Sequence, residues 1–239
     1  MAEVHNALVT GVAFVLALLW LKLINSLADR GLISPTLSRK IIHIGTGPLF
    51  VLGWPFFTAS GGARFWAVLI PLGLTLRFLA IGLGWLTDES AVKAMTRHHD
   101  PQELLRGPLY YGIAFVVCTL LFWRTSPTGI LALMTMCAGD GLADVVGRRW
   151  GKHKLPFGSE KSWIGSAAMF VGSWSLGWAM VALFETLGYF QLPLATLPTG
   201  GIIGAIALIA TLVEALPFRD IDNLTLTATA AALAQWWLG

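Results

Sequence analysis

The chain has 239 residues, 56% of them hydrophobic and only 12% charged, with a mean hydropathy of +0.71, which excludes an ordinary water-soluble domain of this size. The formal charge of +3 does not mark a nucleic-acid binder, because membrane proteins use Lys and Arg first to fix their orientation. Cys118 and Cys137 lie far apart in apolar stretches without CxxC spacing, which excludes a disulfide framework and a zinc site.

At about 20 apolar residues per membrane span, the sequence predicts helices near 7–27, 41–58, 65–86, 108–123, 128–147, 163–187, 199–216 and 223–238. The expected fold is therefore all-α, a polytopic bundle of about eight transmembrane helices forming one integral membrane domain over residues 1–239. The first apolar run shows no A-x-A-like cleavage site, so it reads as a true span. The second contains Gly45, Gly47, Pro48, Gly53 and Pro55, and is expected to be broken or half-buried in protein. In the sixth, Gly165, Gly172 and Gly177 among Ser and Ala predict close helix packing. No plastid transit peptide stands before the first span, which favours a bacterial inner or thylakoid membrane, a plastid membrane being the alternative.

The loops supply an independent test of the span count, since basic residues collect in alternate loops. Twelve of the 16 Lys and Arg fall in one alternate set, near 28–40, 87–107, 148–162 and 217–222, and only Arg64 and Arg124 in the other. The rich set is expected on the cytoplasmic side, with both termini opposite.

The strongest chemical signal is the stretch 137–154, CAGDGLADVVGRRWGKHK, which leaves the fifth apolar segment on the basic side. Asp140 and Asp144 share one helix face at i and i+4, and Arg148 extends the stripe by a turn. An Asp near the centre of a span costs about 3 kcal/mol, less near its end, so the pair is expected to serve a function. Two hard oxygen donors suit Mg2+, which completes its shell with water and substrate phosphates. Downstream, Arg148, Arg149, Lys152, Lys154 and Lys161 supply positive charge, and Gly147 and Gly151 permit close backbone approach to an anion. Together these residue types describe a Mg-nucleotide site. The alternative is a cation or proton pathway beside an ordinary positive-inside loop. No Walker A sequence and no kinase Gly-rich loop occurs.

Three more polar clusters fall on the same predicted face. Arg39, Lys40 and His43 open the second segment, with His43 either in the site or acting as a structural hydrogen-bonding group. The stretch 98–108 carries Glu103 and Arg106, which bind substrate or simply shape a solvated turn. Glu214, Asp222 and Asn223 end one helix and begin the next, where the acids complete a metal shell or pair with loop cations.

These blocks resemble the phytol kinases and their farnesol- and dolichol-kinase relatives, within a wider group that includes membrane cytidylyltransferases. The resemblance spans nearly the whole chain through RKIIHIGTGP at 39–48, PQELLRGPLYYG at 101–112, CAGDGLAD at 137–144, KSWIGS at 161–166, TLVEA at 211–215 and DNL at 222–224. The second block looks particularly like phytol kinases. Ile164 stands where related kinases often carry Glu, and DNLTLT at 222–227 lacks the Pro that often closes the motif. Membership implies phosphorylation of an isoprenoid alcohol by CTP or another nucleoside triphosphate at the membrane. On that footing Asp140, Asp144, Lys161 and His43 are expected in the catalytic centre, with Asp140, Asp144, Glu214 and Asp222 toward Mg2+. Lys40, Gly147, Arg148, Arg149, Gly151, Lys152, Lys154 and Ser162 are expected at the nucleotide, and Glu103, Arg106 and Asn223 at the alcohol. The rival readings are a cytidylyltransferase like CDP-diacylglycerol synthase and a cation- or proton-coupled transporter.

Overall fold

The computed structural model describes residues 1–156, 160–192, 197–216 and 221–239, so Gly158, Arg219 and Asp220 of the basic loops lie outside the described residues. Among the described residues the regular elements are helices: α1 (Ala2–Asp29), α2 (Pro35–Gly53), α3 (Ala63–Gly82), a short α4 (Glu89–Met95), α5 (Gly107–Leu121), α6 (Pro127–Met134), α7 (Gly141–Trp150), α8 (Trp163–Thr186), α9 (Leu197–Glu214) and α10 (Asp222–Leu238). α6 and α7 are joined by a π-helical segment, Thr135–Asp140. The fold is thus an all-α, polytopic helical bundle with long segments at the eight expected places. Five stretches, Ala2–Asp29, Ala63–Gly82, Pro101–Leu121, Pro127–Trp150 and Trp163–Thr186, are long and apolar enough to cross a membrane by length and composition. Two compact units divide the chain, Met1–Leu120 and Leu121–Gly239.

In the first unit α1 packs on α2 and α3 but buries only Asn6 and Ile24, as expected of an apolar helix whose other faces meet lipid. Asn6 is paid for by hydrogen bonds: its amide donates to Thr58 Oγ1 at 3.0 Å and its carbonyl accepts from Thr58 N at 3.0 Å. Of the two expectations for the second segment, broken or half-buried, the second holds: α2 runs unbroken through Gly45, Gly47 and Pro48 with most of its residues partly buried. Ser34 caps it, accepting from Leu37 N at 3.2 Å, and Pro35 occupies the first turn, where a missing N–H costs nothing. Gly45 lets α1 approach, since a Cβ there would overlap the Trp20 ring. The helix ends at Gly53, and Pro55 falls in the following 3-10 turn, Trp54–Phe56.

α4 and the 3-10 turn Pro101–Leu105 fold back on the end of α3 around Ile81, Val92 and Leu104. Asp88 caps α4, accepting from Ala91 N at 2.9 Å, and is ion-paired with Arg77 near the end of α3. Its carboxyl is pulled down to a pKa of about 2, mainly by hydrogen bonds from Ser90 and Ala91, with Arg77 adding to them.

In the second unit every residue of α6 is buried, and burial continues through the π segment as far as Gly139. α8 packs along α7, the π segment and α9, and α10 packs on α6 and α9. The expected small-residue contact is made between α7 and α8. A Cβ on Gly165 would stand 3.0 Å from the Ala143 carbonyl oxygen and 3.3 Å from Gly147 Cα, so the backbones touch directly.

Candidate active site

The carboxylates of the CAGDGLAD block enter α7 through the π segment. Its wider turn shifts the register of everything after it relative to α6. Asp140 is its last residue and Asp144 lies one turn into α7, both with helical backbone, so the two acids share the face expected from i, i+4 spacing. Both are half-buried. Arg148 Nε donates to Asp144 Oδ1 at 2.7 Å, which completes the predicted stripe as an ion pair whose Asp side is 21% exposed. Arg148, Arg149, Lys152 and Lys154 are exposed at the end of α7 and just after it. The Arg149 guanidinium lies 5.3 Å from the Trp150 ring centroid, and Lys154 Nζ donates to the Glu160 carbonyl at 2.6 Å.

The segment between α7 and α8 doubles back on itself. Leu155 N donates to the Lys161 carbonyl at 3.0 Å and Trp163 N to the His153 carbonyl at 3.2 Å, around an isolated antiparallel bridge between Lys154 and Ser162. Lys161 points inward, its ammonium 2.9 Å from Glu214 Oε1 and 3.8 Å from Asp222 Oδ2, and it also donates to the Glu214 backbone carbonyl. One cation thus ties the start of α8 to the end of α9 and the start of α10. Glu214 is only 7% exposed, and Asp140 and Asp222 both lie near enough to act on it electrostatically. Asn223 follows Asp222 in the first turn of α10, half-buried.

Several expected nucleotide contacts have other work in this structure. Ser162 is buried, and its hydroxyl oxygen caps α8 by accepting from Gly165 N at 3.2 Å. Gly147 and Gly151 close on it: a Cβ at Gly147 would stand 3.2 Å from Ser162 Oγ, and one at Gly151 would stand 2.7 Å from Ser162 Cβ. These glycines serve packing around the cap. Glu214 and Asp222, expected toward metal, are held on Lys161, and among the described residues no group of three or more His, Cys, Asp or Glu has a metal-holding arrangement. Asp140 and Asp144 could hold Mg2+, since two carboxylates are enough for an ion that takes one or two and fills its shell with water and phosphate oxygens. One group went unpredicted. The buried hydroxyl of Ser166, a turn beyond Ser162, has no hydrogen-bond partner among the described residues. The signal was its place in the KSWIGS block.

In the first unit Tyr111 donates its hydroxyl to the His43 carbonyl at 2.7 Å, and the two rings lie 4.5 Å apart. His43 is thereby packed against α5, and Lys40 sits half-buried a turn earlier on α2. Arg39 donates to the Thr96 carbonyl at 2.9 Å. Glu103 organises its own loop: it accepts from Arg97 N at 2.6 Å and from His98 N at 3.0 Å, and its carboxylate lies 2.7 Å from His98 Nδ1. That is the turn-shaping alternative for Glu103, while Arg106 stands exposed at the entrance to α5.

Several curated proteins similar to this chain are named phytol kinases or probable phytol kinases. A protein of Oryza sativa subsp. japonica called probable phytol kinase 1, chloroplastic, is 47% identical over 218 residues, covering 90% of this chain and 68% of its own length. Phytol kinase 1, chloroplastic, of Arabidopsis thaliana is 39% identical over 212 residues, covering 88% and 69%. The chain belongs to the phytol kinase family. A third relative, the probable phytol kinase, chloroplastic, of Triticum aestivum, is 43% identical over 88% of the chain and 70% of its own length. No family model matches the chain, and no solved structure matches it. Within the phytol kinase family this chain sets an acidic pair, an exposed basic strip and a buried lysine network around the two ends of one helical hairpin.

Proposed function

We propose that this phytol kinase family member transfers the γ-phosphoryl group of a nucleoside triphosphate, CTP foremost, to the hydroxyl of an isoprenoid alcohol, phytol foremost. The reading is carried by the identity of 47% over 90% of the chain to a protein named as a phytol kinase. The choice of CTP comes from the family resemblance, since no residue distinguishes cytosine from another base. The exposed cations Arg148, Arg149, Lys152 and Lys154 would dock the triphosphate from the basic side of the membrane. Asp140 and Asp144 would hold Mg2+, which would supply positive charge to offset that of the phosphates.

The alcohol would approach from the bilayer with its hydroxyl at the polar ends of α7, α8 and α9. Its oxygen forms the new bond to the γ-phosphorus as the bond to the β-bridging oxygen breaks, the nucleoside diphosphate leaves, and the hydroxyl proton is released to bulk water. Catalysis of this kind is mainly positioning and electrostatics. Lys161 fits this scheme as the residue that holds Glu214 and Asp222 beside Asp140. The relatives are chloroplastic by name, and we assign this chain to a photosynthetic membrane, thylakoid or plastid. A bacterial inner membrane gains nothing from those relatives.

The test is product analysis with purified protein in liposomes, given labelled CTP, ATP, UTP or GTP and a series of isoprenoid alcohols. Nucleoside diphosphate and isoprenyl monophosphate are expected. Pyrophosphate with a CDP-lipid would instead indicate a cytidylyltransferase, and solute flux without nucleotide turnover would indicate a transporter.

A further inference from the structure

Midway along α8 three aromatic side chains form a ladder. Phe170 and Trp174 stack with ring centroids 6.2 Å apart and planes 13° from parallel, and Trp174 and Trp178 repeat the arrangement at 6.2 Å and 8°. Their i, i+4, i+8 spacing puts all three on one helix face. Membrane tryptophans ordinarily collect at the water interface. At 1.5 Å per residue, however, Trp174 stands about 18 Å along α8 from Ser162, well inside a hydrocarbon core about 30 Å thick.

Anchoring at a wet interface therefore does not account for this residue. Its indole N–H is satisfied within the protein, donating to the Gly200 carbonyl of α9 at 3.3 Å, which fixes the ring. Even so, Trp174 and Trp178 remain 37% and 41% exposed. The adjoining part of α9 carries Gly200, Gly201 and Gly204, with Ile202 and Ile203 between them. A Cβ on Gly204 would reach Trp174 at 3.7 Å, whereas one on Gly200 or Gly201 would meet open space. Rigid rings of α8 thus lie beside bare backbone of α9.

The ladder lies along the same helix pair as the candidate active site, since Lys161 and Ser162 immediately precede α8 and Glu214 ends α9. Its length is also informative. Phe170 and Trp174 stand about 12 and 18 Å from Ser162 at the helical rise, while an extended diterpenoid chain, with 16 main-chain carbons, is a few Å longer than one leaflet of the hydrocarbon core, roughly 15 Å. A hydroxyl at the level of Lys161 would bring the far end of such a chain onto the Phe170–Trp174 pair, with Trp178 just beyond it.

We propose that the Phe170–Trp174–Trp178 ladder with Gly200, Gly201 and Gly204 is the subsite for the tail of the substrate alcohol, and that it measures chain length. This rests on the isoprenoid-kinase reading above. Methyl branches lie against the ring faces, and a tail too short to reach Phe170 gains nothing from them.

The experiment compares geranylgeraniol with geraniol as acceptors, in wild type and in Trp174→Ala. The ratio of kcat/KM for the long alcohol over the short one is expected to fall about 10-fold, through KM, and Trp174→Phe is expected to restore most of it. An unchanged ratio in a folded Trp174→Ala protein overturns the proposal. Photolabelling of the wild type with a diazirine-bearing geranylgeraniol needs neither a variant nor turnover. Label on α8 around 170–178 and α9 around 200–204, competed by unlabelled phytol, supports the subsite. Label spread over the lipid-facing helices without competition means boundary-lipid contact only and refutes it. Failure of the wild type to phosphorylate any isoprenoid alcohol would count against the kinase reading, while the label would still report on the subsite.

Discussion

Lys161 and Glu214 show how a residue's type can be informative while its role depends on its neighbours. A Lys after a Gly-rich basic loop reads as a phosphate ligand, yet here it is spent on two acids and a helix-terminal carbonyl. Removing it would leave Glu214 buried without a counter-charge, which costs about 3 to 5 kcal/mol. Lys161→Met should therefore lower the thermal midpoint in detergent substantially, and adding Glu214→Gln should recover much of the loss. Midpoints that ignore both changes would show that the network is unimportant to stability. Asp140 and Asp144 carry the opposite expectation. Asp140→Asn and Asp144→Asn should each lower kcat about 100-fold or more, as loss of a positioned electrostatic group does, with little change in thermal midpoint. Wild-type turnover in both would remove them from the metal site.

Asp88 offers a prediction with a defined pH window. Its folded pKa is about 2 against an ordinary value of 3.8, so the folded state favours its charged form. The stabilisation is full above the ordinary value and is lost as pH falls through about 2. Acid unfolding of wild type followed by circular dichroism should thus show a component below pH 3.8 that Asp88→Asn lacks. At neutral pH the same variant keeps a competent cap, since Asn caps as well as Asp, and is expected to lose at most about 1 kcal/mol through the Arg77 ion pair.

At the scale of elements, the π segment Thr135–Asp140 is what aims the acidic pair. Periodicity along 128–147 called for one regular helix, because a π turn changes the backbone register without changing which residues are apolar. Inserting one Ala between Gly141 and Leu142, beyond the π segment, should rotate the rest of α7 by about 100° relative to Asp140 and α6. Turnover should collapse while helical content by circular dichroism stays close to wild type. Retained turnover would show that the register is immaterial. The unbroken α2 makes a related point. Its glycines and proline suggested a break when weighed as propensities, but packing against Trp20 gives Gly45 a reason to be small.

For the whole molecule, the distribution of Lys and Arg predicts a single orientation, with both termini on the side away from the basic loops. Tags at either end should be reached by an impermeant reagent only from that side, and labelling from the basic-loop side would reverse the assignment. The all-α, membrane-spanning class and the places of the long helices followed from the sequence alone, since a hydrocarbon solvent leaves a chain this apolar few options for its backbone. The acidic pair was legible for the same reason: charge in an apolar run stands out by its cost. Tertiary structure decided the rest. That Lys161 faces Glu214 and Asp222, that Ser162, Gly147 and Gly151 form a packed cap, and that tryptophans of α8 stack above glycines of α9 all depend on which helices touch and at what rotation. Those contacts join residues distant in sequence through packing and paired charge, which neither periodicity nor composition encodes.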